Sequence, residues 1–141
     1  MHVQATTPFI GGAEAAWRVL MDFPAYADWN PFVVRAQTQD RRNITITVDP
    51  EADERMLGLV VRIDKANAPE EVSGALLYGA PFLLGGRYRA RLDEASGALI
   101  QEVDLTGVLR PLYVSRRFQR LLERGLNAMG AALAQRCKAL A

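Results

Sequence analysis

Tyr88 and Gln101 are the residues best placed to do chemistry, because each falls on the inward face of its strand among apolar neighbours. A phenol and an amide there could polarise a carbonyl while the surrounding walls shape a reactive chain, which is enough for a ring closure. Tyr26, Asn30, Arg35, Arg55 and Tyr78 are further candidates nearer the ends of the sheet. Each also has a plain structural reading. An inward Tyr packs its ring and bonds its hydroxyl to the backbone, and a buried Gln finds protein partners for its amide.

The remaining inventory is thin. His2 is the one histidine, at a terminus expected to be mobile, so neither a Ser-His-Asp nor a Cys-His arrangement has a base. Zinc would need clustered His and Cys, and His2 and Cys137 lie far apart in sequence, so no metal and no cofactor is expected. Gly85-Gly86 lacks the spacing and the following helix of a phosphate loop. Cys137 reads as a packed residue on a helix face.

Strands and helices must position these groups. Ala13, Ala16, Trp17, Leu20 and Met21 follow helical spacing after Gly11-Gly12, and Pro24 stops that helix. A second short helical turn carries Tyr26 and Trp29 up to Pro31. Two Trp, one Tyr, two Phe and two Pro thus crowd into the sixteen positions 17–32. Strands are expected over Val3–Ile10, Val33–Thr38, Asn43–Val48, Arg55–Asp64, Val72–Tyr78, Leu84–Leu92 and Leu99–Thr106. Folding the third and fourth as a hairpin pairs Ile46 with Leu57 and Ile44 with Leu59.

In the last hairpin, Leu92 opposite Leu99 sets Tyr88 against Val103 and Ala90 against Gln101 on the inner face. Arg89 then meets Glu102, and Arg87 meets Asp104, on the outer face. Two members of the Arg87, Arg89, Arg91 stripe thereby have cross-strand carboxylates, which favours a structural role for the stripe over a grip on phosphate. From Val114 to Leu140 one helix carries Phe118, Leu122, Leu126, Met129 and Leu133 on its apolar stripe, interrupted by Gly125 and Gly130. Those glycines allow a bend, close packing, or space beneath the helix. Its other face presents Arg116, Arg120 and Arg124.

A chain of 141 residues with half its residues hydrophobic makes one domain, 1–141. With 17 basic and 16 acidic residues there is no field to gather nucleic acid or an anionic membrane. A single cysteine and no apolar run of bilayer length lead us to expect a soluble, cytoplasmic protein. The class is α+β, a curved seven-stranded antiparallel sheet around a long C-terminal helix, with two short helices after the first strand.

Ile10, Trp17, Leu20, Asp22, Tyr26, Trp29-Asn30-Pro31-Phe32, Gly107-Val108-Leu109-Arg110-Pro111 and the stretch Gly125 to Leu133 together resemble the START-like, helix-grip superfamily (SRPBCC). Within it the likeness is to the polyketide cyclase/dehydrase and lipid-transport group. The resemblance implies a deep cavity between helix and sheet for lipids, sterols, polyketides or quinones, with the aromatic cluster as architecture closing one side. It also marks two departures, Gly130 and Val103, where relatives often carry Asn and an acidic residue. Both remove polarity, and where those positions face the cavity the pocket is expected to be more apolar than in a typical relative.

The first functional reading is a binder of a small hydrophobic molecule through Leu59, Val61, Tyr88, Gln101, Val103, Phe118, Leu122, Leu126 and Met129, acting as monomer or homodimer. The second is a polyketide or aromatic cyclase/dehydratase using Tyr88 and Gln101. The third is a co-chaperone-like regulator that binds protein through the Arg116, Arg120, Arg124 face.

Overall fold

The computed structural model describes residues 1–49, 56–78, 85–107 and 116–140. Strand β1 (His2–Pro8) is followed by helix α1 (Ala13–Met21), a 3-10 turn (Phe23–Ala25) and the single-turn helix α2 (Tyr26–Trp29). Then come β2 (Val33–Thr38), β3 (Asn43–Val48), β4 (Leu57–Asn67), β5 (Glu71–Leu77), β6 (Gly85–Asp93), β7 (Ala98–Thr106) and helix α3 (Arg116–Leu140). The strands form one antiparallel sheet in the order β1-β7-β6-β5-β4-β3-β2, curled around α3. Successive side chains of a regular strand point to opposite faces, and β1 shows it plainly, with Val3, Ala5 and Thr7 buried between exposed neighbours.

The expected register of β6 and β7 is the observed one: Leu92 faces Leu99, Tyr88 faces Val103 and Ala90 faces Gln101. The β3–β4 register is corrected by two residues, since Ile46 pairs with Leu59 and Ile44 with Val61. A shift of two keeps every apolar side chain on the same face, so hydrophobic patterning alone cannot distinguish the two registers. Strand β1 ends at Pro8, leaving Ile10 exposed beyond it, and β4 runs on to Asn67. Residues 50–55, 79–84 and 108–115 lie outside the described residues, so the expected turn before Arg55, the strand end at Pro81 and the helix start at Val114 do too.

The outer face holds the arginine stripe in a lattice of carboxylates, with one partner exchanged. Arg89 pairs with Glu71 at 3.1 Å and with Glu102 at 3.3 Å. Arg87 instead makes two bonds to Asp64, at 2.7 and 3.0 Å, while Asp104 takes His2 at 2.7 Å. The register shift between Ile63 and Lys65 explains the exchange: Asp64 is the extra residue of a bulge, and a bulge re-aims its side chain. The hydrogen bonds from Arg87, ahead of its charge, hold the Asp64 carboxyl below its ordinary pKa. His2 sits in β1 opposite Asp104, not on a mobile terminus.

Helix α3 spans 25 residues, about 37 Å at 1.5 Å per residue, and packs on β1, α1 and α2. Its two glycines are where other elements come closest. A Cβ on Gly130 would lie 2.1 Å from Oγ1 of Thr7 and 2.8 Å from that residue's Cβ. A Cβ on Gly125 would lie 2.3 Å from Cδ1 of Phe32. Close packing, not space beneath the helix, is therefore what these glycines provide.

Gly→Ala inside a helix ordinarily gains up to about 1 kcal/mol. Here Gly125→Ala and Gly130→Ala should each lose about 1–3 kcal/mol, because both contacts are buried and the overpacking cannot relax into solvent. Chemical denaturation reads the sign directly, and a raised midpoint in either variant contradicts the packing argument. Thr7→Ala combined with Gly130→Ala should cost less than the two single changes summed, since the first removes atoms the second collides with.

Candidate ligand site

Strand β6 presents Tyr88 inward because Tyr88 alternates with Arg87 and Arg89, which go to the outer face. Gln101 follows from its register opposite Ala90, and with no accessible surface it lies entirely inside the protein. The Tyr88 hydroxyl donates to Oε1 of Gln101 at 2.8 Å. Nε2 of Gln101 donates in turn to the backbone carbonyl of Leu126 at 2.9 Å. Sheet and helix are thus tied by one polar chain, and the structural reading of a buried Gln holds for Gln101.

In front of this chain, between the concave sheet and α3, lies a cavity of about 420 Å3. Of the residues expected to bind a ligand, Leu59, Val61, Tyr88, Val103, Phe118, Leu122, Leu126 and Met129 line it. Gln101, fully buried, does not. The β3–β4 hairpin adds Ile44, Ile46, Val48, Leu57 and Ile63, the same inward rows read from the alternation. Among the described residues no lining side chain is charged. Val103 faces the cavity, as the departure from the resemblance implies, whereas Gly130 faces Thr7.

The aromatic cluster contributes through different residues from those expected. Trp17 and Trp29 are half-buried and do not line the cavity; Trp29 lines a separate groove with Arg18, Asp22 and Arg136. Leu20, Met21, Phe23, Tyr26 and Phe32 form the wall instead. Tyr26 stacks edge-on between Phe23 and Trp29, with ring centres 5.6 and 5.1 Å away. The Tyr26 hydroxyl donates to the carbonyl of Leu20, closing the bend between α1 and α2.

The other polar candidates serve the protein itself. Asn30 is buried and its Oδ1 accepts from the backbone N–H groups of Phe32 and Val33 at 3.0 and 2.9 Å. Ser73, a lining residue not anticipated, donates to Asp64 at 3.2 Å. Arg35 is exposed on β2 and does not line the cavity, and Tyr78 lines it while remaining 44 % exposed. Arg55 lies outside the described residues. Burial pushes the hydroxyls of Tyr26 and Tyr88 above the ordinary tyrosine pKa, so both remain protonated phenols at neutral pH. Burial likewise raises the thiol pKa of Cys137, the opposite of what a nucleophile needs.

No protein-family model matches the chain, and no curated protein matches its sequence. Solved structures do match across its whole length. A START superfamily protein from Mycobacterium smegmatis superposes with a TM-score of 0.77 at 16 % identity, covering 99 % of both chains. The Zhui aromatase/cyclase from a Streptomyces species gives 0.68 at 21 % identity, over 98 % of this chain and 93 % of that one. A conserved protein from Geobacillus kaustophilus gives 0.74 at 9 % identity, over 99 % and 96 %. The chain has the helix-grip fold of the START-like (SRPBCC) superfamily. Among the described residues no helix is long and apolar enough to cross a membrane.

Proposed function

We propose that this chain binds one small hydrophobic molecule, such as a lipid, quinone or polyketide-like compound, in the cavity between α3 and the sheet. The observation that carries the reading is the lining: apolar side chains from β3 to β7, α1 and α3 converge on one space with no charged group among the described residues. A volume of about 420 Å3 falls within the roughly 300–1,000 Å3 of small-molecule sites. An apolar ligand there would gain about 25 cal/mol for each Å2 of apolar surface withdrawn from water.

A cyclase, the activity printed for the Streptomyces structure, would need free donors directed at a substrate carbonyl. The hydroxyls of Tyr26, Ser73 and Tyr88 all donate within the protein, and the remaining lining hydroxyl among the described residues, Tyr78, is 44 % exposed, which favours binding over catalysis. Arg116, Arg120 and Arg124 are exposed along α3.

Native mass spectrometry of freshly purified protein tests occupancy. The expected spectrum shows the chain plus one small organic mass, lost on denaturation and extractable into solvent. A bare chain that also fails to take up a solvatochromic hydrophobic dye saturably, at one per chain, refutes the proposal.

A further inference from the structure

The direction of each hydrogen bond behind the cavity wall is fixed by one group that cannot change roles. The carbonyl of Leu126 only accepts, so the atom of Gln101 that meets it at 2.9 Å must be Nε2. The opposite amide orientation would set two oxygens lone pair to lone pair. Oε1 of Gln101 must therefore face Tyr88, and an amide oxygen only accepts, so the Tyr88 hydroxyl must donate at 2.8 Å. A phenol has a single O–H. With that proton committed to Gln101, the only hydrogen-bonding capacity Tyr88 has left to offer the cavity it lines is a lone pair of its oxygen.

We infer that the cavity selects apolar ligands bearing a hydroxyl or another hydrogen-bond donor over isosteric ones bearing a carbonyl, with Tyr88 as acceptor and Gln101 as the residue that sets its polarity. The inference rests on the proposed binding function and specifies its ligand class. A ligand hydroxyl would extend the chain to ligand, Tyr88, Gln101 and Leu126, each bond polarising the next. A ligand carbonyl at the same place would meet an oxygen with no proton to give, and would lose its water without replacement. Gln101 also explains why an amide is kept at a position with no accessible surface: it turns a phenol that could donate into one that accepts.

Fluorene, 9-fluorenol and 9-fluorenone share one rigid skeleton and differ only in CH2, CHOH and C=O, so they isolate this property. Affinities are measured by displacement of a solvatochromic dye and compared as ratios within each protein, so that any change common to all three cancels. Wild type should prefer 9-fluorenol to 9-fluorenone by about five- to tenfold, the equivalent of one neutral hydrogen bond. Tyr88→Phe should bring that ratio close to one. Gln101→Leu frees the phenol proton and should move the ratio toward the ketone, an inversion that a merely structural role for Gln101 does not produce.

Among the described residues the lining hydroxyls outside this chain are Tyr26 and Ser73, which donate to Leu20 and Asp64, and Tyr78, so the preference should persist in Tyr78→Phe. Equal affinities in wild type, a ketone preference, or a preference lost in Tyr78→Phe but kept in Tyr88→Phe overturns the inference while leaving hydrophobic binding standing. Displacement of the bound dye by none of the three compounds also overturns the inference alone, whereas a bare chain that takes up no dye overturns both.

Discussion

Asn30→Leu is expected to lower stability by about 2–5 kcal/mol, although it exchanges a buried polar side chain for an apolar one of similar size. The side chain is 4 % exposed, and its Oδ1 is the acceptor for the N–H groups of both Phe32 and Val33. Leucine leaves those two donors buried at the start of β2 without a partner, at about 1–3 kcal/mol each. The damage also reaches α3. Phe32 is held by this turn with its ring against Gly125, so a loosened turn unseats the one side chain that fills the helix notch. For a domain of this size the loss corresponds to a melting temperature lower by roughly 6–12 °C for a cost near 3 kcal/mol. Thermal and urea unfolding should agree, and a change below 1 kcal/mol would show that the turn does not depend on its Asn.

The reason Asn30 matters was only half visible in the chain. The run Trp29-Asn30-Pro31-Phe32 marks the fold, and the aromatic residues around it signal a packed junction. What periodicity cannot show is which large side chains turn inward, because two short helices and a bend have no single face. Trp17 and Trp29 drew attention by size, yet the cavity wall is made by Leu20, Met21, Phe23, Tyr26 and Phe32. Where an element is long and regular the reading is reliable. The β6–β7 register was recovered residue by residue, because Leu92 opposite Leu99 leaves a short connection that fixes the pairing. The β3–β4 register slipped by two, because a shift of two preserves the inward rows and the intervening connection imposes no alignment that the composition reveals.

The candidate site was legible as a set of apolar positions and opaque as a set of bonds. Eight of the nine expected ligand residues line the cavity, Gln101 being the exception, because inward alternation on strands and the stripe on α3 fix which way side chains point. Bond partners come from elements remote in sequence. Gln101 reaches Leu126, 25 positions away, and nothing in β7 announces that a helix carbonyl will stand in front of it. Arg87 was expected on Asp104 and found on Asp64 because a bulge in β4 re-aimed an acid that pattern analysis placed along a regular strand. Glycine was ambiguous for a related reason: Gly125 and Gly130 fit either a hollow or a close contact, and only the positions of Phe32 and Thr7 decide.

Because the cavity, unlike the rest of the core, has room, enlarging a residue on its wall should have the opposite effect from enlarging one elsewhere. In a close-packed interior a small-to-large substitution costs about 1–3 kcal/mol. Val61 lines the cavity from β4, between Ile44 on one neighbouring strand and Leu76 on the other. Val61→Phe directs a ring into the cavity, from a strand that tolerates aromatic residues well. The ligand-free protein should gain about 0.5–1.5 kcal/mol as the ring buries apolar surface. The same ring occupies space the ligand needs, so affinity for a hydrophobic dye or for the extracted native ligand should fall by about ten- to a hundredfold. Stability rising while affinity falls is the signature of a built vacancy: a rigid, filled core gives a loss of both, and a ligand held outside the fold leaves affinity untouched. Denaturation without ligand, paired with titration of the same preparation, separates these outcomes.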